Sequence, residues 1–133
     1  MNRLFLDANV LFSAAYRPNP GLLKLWKLTN VTLCSSRYAL EEARINLTEE
    51  AQHDRLAKLS ANIELFEAPA AELPRRVSLP SKDIPILLAA IEARATHLIT
   101  GDIRHFGTYF GNKIEGILIL LPGEYLKKGA KDS

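Results

Sequence analysis

Met1-Asn2-Arg3-Leu4-Phe5-Leu6-Asp7-Ala8-Asn9 opens the chain with three consecutive apolar residues and then a carboxylate. Leu4, Phe5 and Leu6 have no polar face, as a strand covered on both sides in the middle of a parallel sheet requires. Asp7 stands where that strand ends. In open α/β sheets the ligand crevice lies outside the carboxyl ends of the strands, so an acid here is placed for chemistry. The plainer role for Asp7 is to cap the helix that follows, and the choice between the two turns on whether other acids reach the same edge.

Four more strands are expected downstream. Val31 to Ser35 is β-branched and apolar, Ile63 to Phe66 is a weaker run, Leu98-Ile99-Thr100 repeats the opening pattern by running into Gly101-Asp102, and Ile117 to Leu121 is closed by Pro122. Helices fall between them. Val10 to Ala15 forms one; Asn19-Pro20 is a cap-and-proline start for Leu22, Leu25 and Trp26; Arg37 to Leu47 and Thr48 to Ser60 form two more. Residues 67–80 are expected as loop, with Pro69, Pro74 and Pro80 denying regular structure. Ser81-Lys82-Asp83-Ile84-Pro85 starts a helix that is apolar nearly all round from Ile86 to Ile91, and Asp83 stands at its mouth. Strands alternating with helices predict a three-layer α/β/α sandwich around a parallel sheet of four or five strands. The domain is expected over residues 1–126, with a short helical turn around Glu124 to Leu126 and a polar, frayed tail at 127–133.

Composition bounds the function. With 133 residues the chain is one domain, and no apolar run approaches the roughly 20 residues of a membrane span. No secretory leader is expected, and one cysteine, Cys34, suits a reducing cytoplasmic setting. Net charge is +2, but setting aside four acids gathered at one place leaves 17 basic against 11 acidic side chains, which suits a polyanion lying across an acidic hole. Ordinary surface lysine and arginine would give the same count.

The four acids are Asp7, Glu42, Asp83 and Asp102. Glu42 borders the apolar face of its helix, whereas Glu41 points away toward Arg37 and Arg44. Carboxylates converging at a sheet edge repel one another and call for a cation. An all-oxygen set suits Mg²⁺ or Mn²⁺, and no Cys/His set with zinc spacing occurs. Two such ions about 4 Å apart activate water and steady the leaving oxygen of a phosphodiester.

Leu6-Asp7-Ala8-Asn9-Val10-Leu11, Ser36 through Glu42, Lys82-Asp83-Ile84-Pro85-Ile86-Leu87, Thr100-Gly101-Asp102-Ile103-Arg104-His105-Phe106 and Leu120-Leu121-Pro122-Gly123-Glu124-Tyr125-Leu126 together resemble the PIN domain, in order and approximate spacing. The resemblance spans essentially the whole chain. It implies a Mg²⁺- or Mn²⁺-dependent endoribonuclease and, for a compact single domain, a VapC-like toxin paired with a small antitoxin protein and commonly a homodimer; hydrolysis at the four acids is expected to leave a 5′-phosphate and a 3′-hydroxyl. Carried over residue by residue, Asp7, Glu42, Asp83 and Asp102 match the catalytic, metal-binding acids, and Asn9 the polar residue supporting the first. Arg104 and His105 follow the last acid, where a backbone phosphate of RNA is expected; a surface arginine and a packed or capping histidine are the plainer alternatives. Ala8 stands where a threonine is common.

Two rivals are defined by single features. A catalytically silent PIN-like domain that holds RNA or a protein would have lost one of the four acids, and all four are present. A phosphate-binding Rossmann-like domain would carry G-x-G-x-x-G after a strand, and none does.

Overall fold

In chain order the elements are β1 (Asn2–Leu6), α1 (Ala8–Tyr16), a 3₁₀ segment (Gly21–Lys27), β2 (Val31–Ser36), α2 (Arg37–Asn46), α3 (Glu50–Ser60), β3 (Glu64–Phe66), α4 (Ile84–Glu92), β4 (His97–Ile99), α5 (Ile103–Phe106), a 3₁₀ turn (Gly107–Tyr109), β5 (Lys113–Ile114), β6 (Ile117–Leu120) and α6 (Pro122–Asp132). The structure, a computed structural model, describes the backbone of residues 1–132 and the side chains of residues 1–128. The sheet order is β3-β2-β1-β4-β6-β5, so β1 lies between β2 and β4. All pairings are parallel except β5 with β6.

The central position of β1 follows from its side chains. Leu4, Phe5 and Leu6 are fully buried, as are Leu98 and Ile99 on β4 and Ile119 on β6. Each such side chain contributes about 1.5–3 kcal/mol by leaving water. Right-handed crossovers send α1 and then α2 and α3 over one face as the chain moves from β1 to β2 to β3, and α4 over the other as it returns to β4. Contacts of α1 with both α2 and α3, and of α4 with β2, accompany this arrangement. Five consecutive residues of α4, Ile86 to Ala90, are buried, which is why its sequence shows no polar stripe.

The five expected parallel strands are all present. A sixth, β5, adds an antiparallel edge through a two-residue turn in which Glu115 and Gly116 both have positive φ (52° and 80°). That hairpin carries no Asn-Gly or Asp-Gly signal, so the sequence does not announce it. The Asn19 cap is also replaced: Asn19 sits in the left-handed region (φ 53°), Pro20 takes the cap position without a side-chain bond, and the segment winds as 3₁₀. Residues 127–132, expected as tail, continue α6, where Pro122 starts the helix and the Glu124 carboxylate accepts the Leu121 N–H; Ser133 lies outside the described residues. Among the described residues no helix is long and apolar enough to cross a membrane.

Candidate metal centre

Asp7 leaves the carboxyl end of β1 and is only 3% exposed. Its backbone N–H still reaches the Ile99 carbonyl of β4 at 3.0 Å, so the residue is held as part of the sheet edge. Oδ1 accepts the Ala8 N–H at 2.7 Å, which makes Asp7 the N-cap of α1. Oδ2 accepts the Thr100 hydroxyl at 2.8 Å and the Asn9 side-chain amide at 3.2 Å. Capping is thus one of two roles open to this carboxylate. Burial pushes its pKa from 3.8 up to about 6; the bonds from Thr100 and Ala8 oppose the rise, and the charges of Asp83 and Glu42 add to it.

Thr100 is the joint between the two strand-end acids. It is fully buried, donates to Asp7 Oδ2, and accepts the Asp102 backbone N–H at 3.1 Å and the Asn9 amide at 3.2 Å. Asn9 closes the ring by accepting the Gly101 N–H at 2.8 Å through Oδ1. An added Cβ on Gly101 would come within 3.4 Å of that same oxygen, so the backbone approaches Asn9 closely here. These bonds fix Asp7 and Asp102 side by side at the point where the chain, having built the sheet toward β2 and β3, begins building it toward β6. That is the switch point at which α/β sheets open their ligand crevice.

Asp83 arrives from the other direction, at the start of α4, and is 5% exposed. It occupies the N-cap position, but its carboxylate caps nothing. Pro85 at the second helical position has no N–H to offer, which removes one of the two donors a capping side chain uses. Burial raises its pKa; the His105 ring and Lys82 pull it down and Asp102 pushes it up. Glu42 comes from α2, whose N-cap Ser36 accepts the Ala39 N–H at 3.0 Å. Its neighbour Glu41 instead pairs with Arg44 in solvent, as its angular position predicts.

Asp7, Asn9, Glu42, Lys82, Asp83 and Asp102 line one cavity of about 360 Å³, which Phe12 and Asn46 help to enclose. Tyr38 on α2 ties that helix to the start of α4 by donating its hydroxyl to the Lys82 carbonyl at 3.0 Å. Asp102 caps α5, accepting the His105 N–H at 3.1 Å. The His105 ring then folds back, so that Nδ1 lies 2.7 Å from both Asp83 Oδ2 and Asp102 Oδ2. Asp83 Oδ2 and His105 Nδ1 are both buried and lack a well-aligned hydrogen bond, so they meet as a close charge contact when the ring is protonated. The ligating atoms of Asp83, Asp102 and His105 all fall within 4.8 Å of one another.

The structure therefore gathers all four acids and Asn9 at one cleft. Arg104 is exposed and does not line the cavity, and the Nδ1 face of His105 is turned to carboxylates rather than to solvent. Sequence reasoning gives no role to Thr100 or Lys82. A polar residue ending the otherwise apolar Leu98-Ile99 run was the available signal for Thr100. Lys82 is marked only by standing next to Asp83.

A family model described as "PIN domain" matches residues 3–104. No curated protein matches the chain. Among solved structures, VapBC2 from Rickettsia felis bound to a DNA fragment from their promoter is 18% identical with a TM-score of 0.65, over 88% of this chain and 96% of that one. FitAB bound to an IR36 DNA fragment is 19% identical with a TM-score of 0.53, over 90% of this chain and 94% of that one. At these identities the likeness is one of fold.

Proposed function

The chain belongs to the PIN-domain family, and from that premise we propose that it is a Mg²⁺- or Mn²⁺-dependent endoribonuclease of the cytoplasm, the toxin of a toxin–antitoxin pair. The observation that carries this reading is the convergence of Asp7, Glu42, Asp83 and Asp102 on one cavity, with Asp7 held near pKa 6 by burial and by its acidic neighbours. A cluster of this kind is stable as carboxylates only with positive charge among them. The residues fit a divalent cation: the donors are oxygens of hard-cation type, and Asp83 Oδ2 is buried with only the His105 ring beside it.

Asp7 and Asp102 would hold the principal ion, with Glu42 and Asp83 completing its shell or holding a second. When bound, the metal supplies Lewis acidity at the phosphodiester and makes water acidic enough to serve as nucleophile. The chain's own residues do the rest. Thr100 and Asn9 fix the Asp7 carboxylate so that it needs little reorganisation when charge develops. Lys82 stands at the cleft as an exposed cation for a backbone phosphate, a place better suited to that task than Arg104. Phe12 gives the cavity an apolar wall that limits water.

Pairing with an antitoxin is supported by the structural likeness to VapBC2 and FitAB, each of which is bound to DNA. A second copy of this chain is proposed on the same ground.

The test is cleavage of a structured RNA pool by purified protein with Mn²⁺, with EDTA, and with Asp7→Asn beside wild type. Metal-dependent cutting that disappears in a folded Asp7→Asn protein is the expected outcome. Cutting that persists in EDTA or in the variant would overturn the reading.

A further inference from the structure

We propose that His105 Nδ1 is itself a metal ligand, forming with Asp83 and Asp102 a nitrogen-containing position that takes Mn²⁺ in preference to Mg²⁺. The inference rests on the reading of the cleft as a metal centre and adds a donor that the four-acid pattern does not contain. Three observations carry it. The ligating atoms of the three residues lie within 4.8 Å of one another, a spacing one cation can bridge. Two of them, Asp83 Oδ2 and His105 Nδ1, are buried, lack a well-aligned hydrogen bond, and have only the charge contacts within this trio, the ring nitrogen being 2.7 Å from each of two carboxylate oxygens. The ring nitrogen and the two carboxylate oxygens sit close enough to share a proton, and a divalent cation bound by the same three groups takes that proton's place.

The third observation is how His105 is held. Asp102 is the N-cap of α5 and His105 its third residue, and the Asp102 carboxylate accepts the His105 backbone N–H at 3.1 Å through Oδ1 while Oδ2 faces the ring. One carboxylate therefore both starts the helix and faces the nitrogen. The cap and the third helical residue thus bring carboxylate and imidazole together, with His105 Nδ1 2.7 Å from Asp102 Oδ2. Asp7 is outside this trio, its two oxygens being engaged by Ala8, Asn9 and Thr100. Asp83 and Asp102 line the cavity with Asp7 and Glu42, and the His105 ring, which is not among the lining residues, meets the same two carboxylates at the cavity's edge. Imidazole donors favour first-row transition metals over Mg²⁺, which binds through oxygen and gives up its waters reluctantly.

The experiment is pulsed EPR on metal-free wild-type protein titrated with Mn²⁺, without RNA. A ¹⁴N coupling to the bound ion is expected, replaced by the ¹⁵N pattern when the protein is grown with ¹⁵N-histidine. The other two histidines are engaged elsewhere, His53 with the Leu47 carbonyl at 2.7 Å and His97 with Thr96 Oγ1 at 2.8 Å. His105→Gln should abolish the coupling and weaken Mn²⁺ binding about tenfold or more, with Mg²⁺ affinity, read by competition, changing about threefold or less. Bound Mn²⁺ with no nitrogen coupling in the wild type overturns the His105 ligand and leaves the nuclease reading standing. Failure of the wild type to bind Mn²⁺ overturns both. The isotope comparison needs no variant, so a misfolded His105→Gln protein does not remove the test.

Discussion

Replacing Asp7 by Asn should make the metal-free protein more stable at neutral pH and less stable in mild acid. Folding raises this carboxyl from 3.8 to about 6, chiefly by burial. At about 1.4 kcal/mol per pKa unit, holding it ionised in the fold costs about 3 kcal/mol. The folded protein binds more protons than the unfolded chain between about pH 4 and about pH 6, so stability falls as pH rises through that window and the loss is complete above it. Asn carries no charge and escapes this cost. It also loses an acceptor, because its amide nitrogen is a donor and accepts neither the Thr100 hydroxyl nor the Asn9 amide that Oδ2 accepts now. That loss is worth roughly 1–2 kcal/mol. The balance is a variant more stable by about 1–2 kcal/mol at about pH 7.5 and less stable by a similar amount at about pH 4. Urea unfolding in EDTA at both pH values measures the difference, and comparing variant with wild type cancels the titrations the two share. A stability difference that does not change with pH would refute the reasoning, because only a buried, reluctantly ionised Asp7 produces the reversal.

Mn²⁺ at a hundredfold excess over its Kd should stabilise the wild type by about 2.7 kcal/mol with no RNA present, and Asp83→Asn should remove most of that gain in a thermal melt. Thr100→Val keeps the shape but deletes the hydroxyl that joins Asp7, Asn9 and the Asp102 N–H. It should cost about 2–3 kcal/mol in urea unfolding and move the Asp7 pKa further up. Lys82→Ala should weaken binding to single-stranded RNAs of unrelated sequence by a similar factor and lower the salt slope of log K by about 0.7; an unchanged slope would show that Lys82 meets no phosphate.

What the sequence shows of the fold is what hydrophobic patterning controls. Leu4-Phe5-Leu6, Leu98-Ile99 and Ile86 to Ile91 announce buried strands and a buried helix, and the parallel sheet follows from their alternation. β5 escapes because two residues and a Glu-Gly turn have no period to read. The 3₁₀ winding of Gly21–Lys27 escapes because its apolar spacing serves an α-helix equally well. For the site, the order of the four acids is legible and their meeting place is not. The register of Leu6 against Ile99 puts Asp7 beside Thr100, and that register exists only between residues 93 positions apart. The direction of the His105 ring depends on α5, a four-residue helix too short to be seen in a sequence.

The central place of β1 has a consequence for how the chain is made. Its partner β2 ends at Ser36, but the strand that covers its other edge, β4, begins only at His97. During synthesis about 60 residues separate the two, roughly 3–12 s at ~5–20 residues per second, and for that time an apolar strand has one edge open. Nor does the acidic centre exist until Asp102 has emerged and β4 has closed against β1. The nascent protein is therefore a molecule with an adhesive edge and no cleft; pairing of β4 with β1 completes the cleft and moves the open edge to β4, where β6 covers it about 20 residues later.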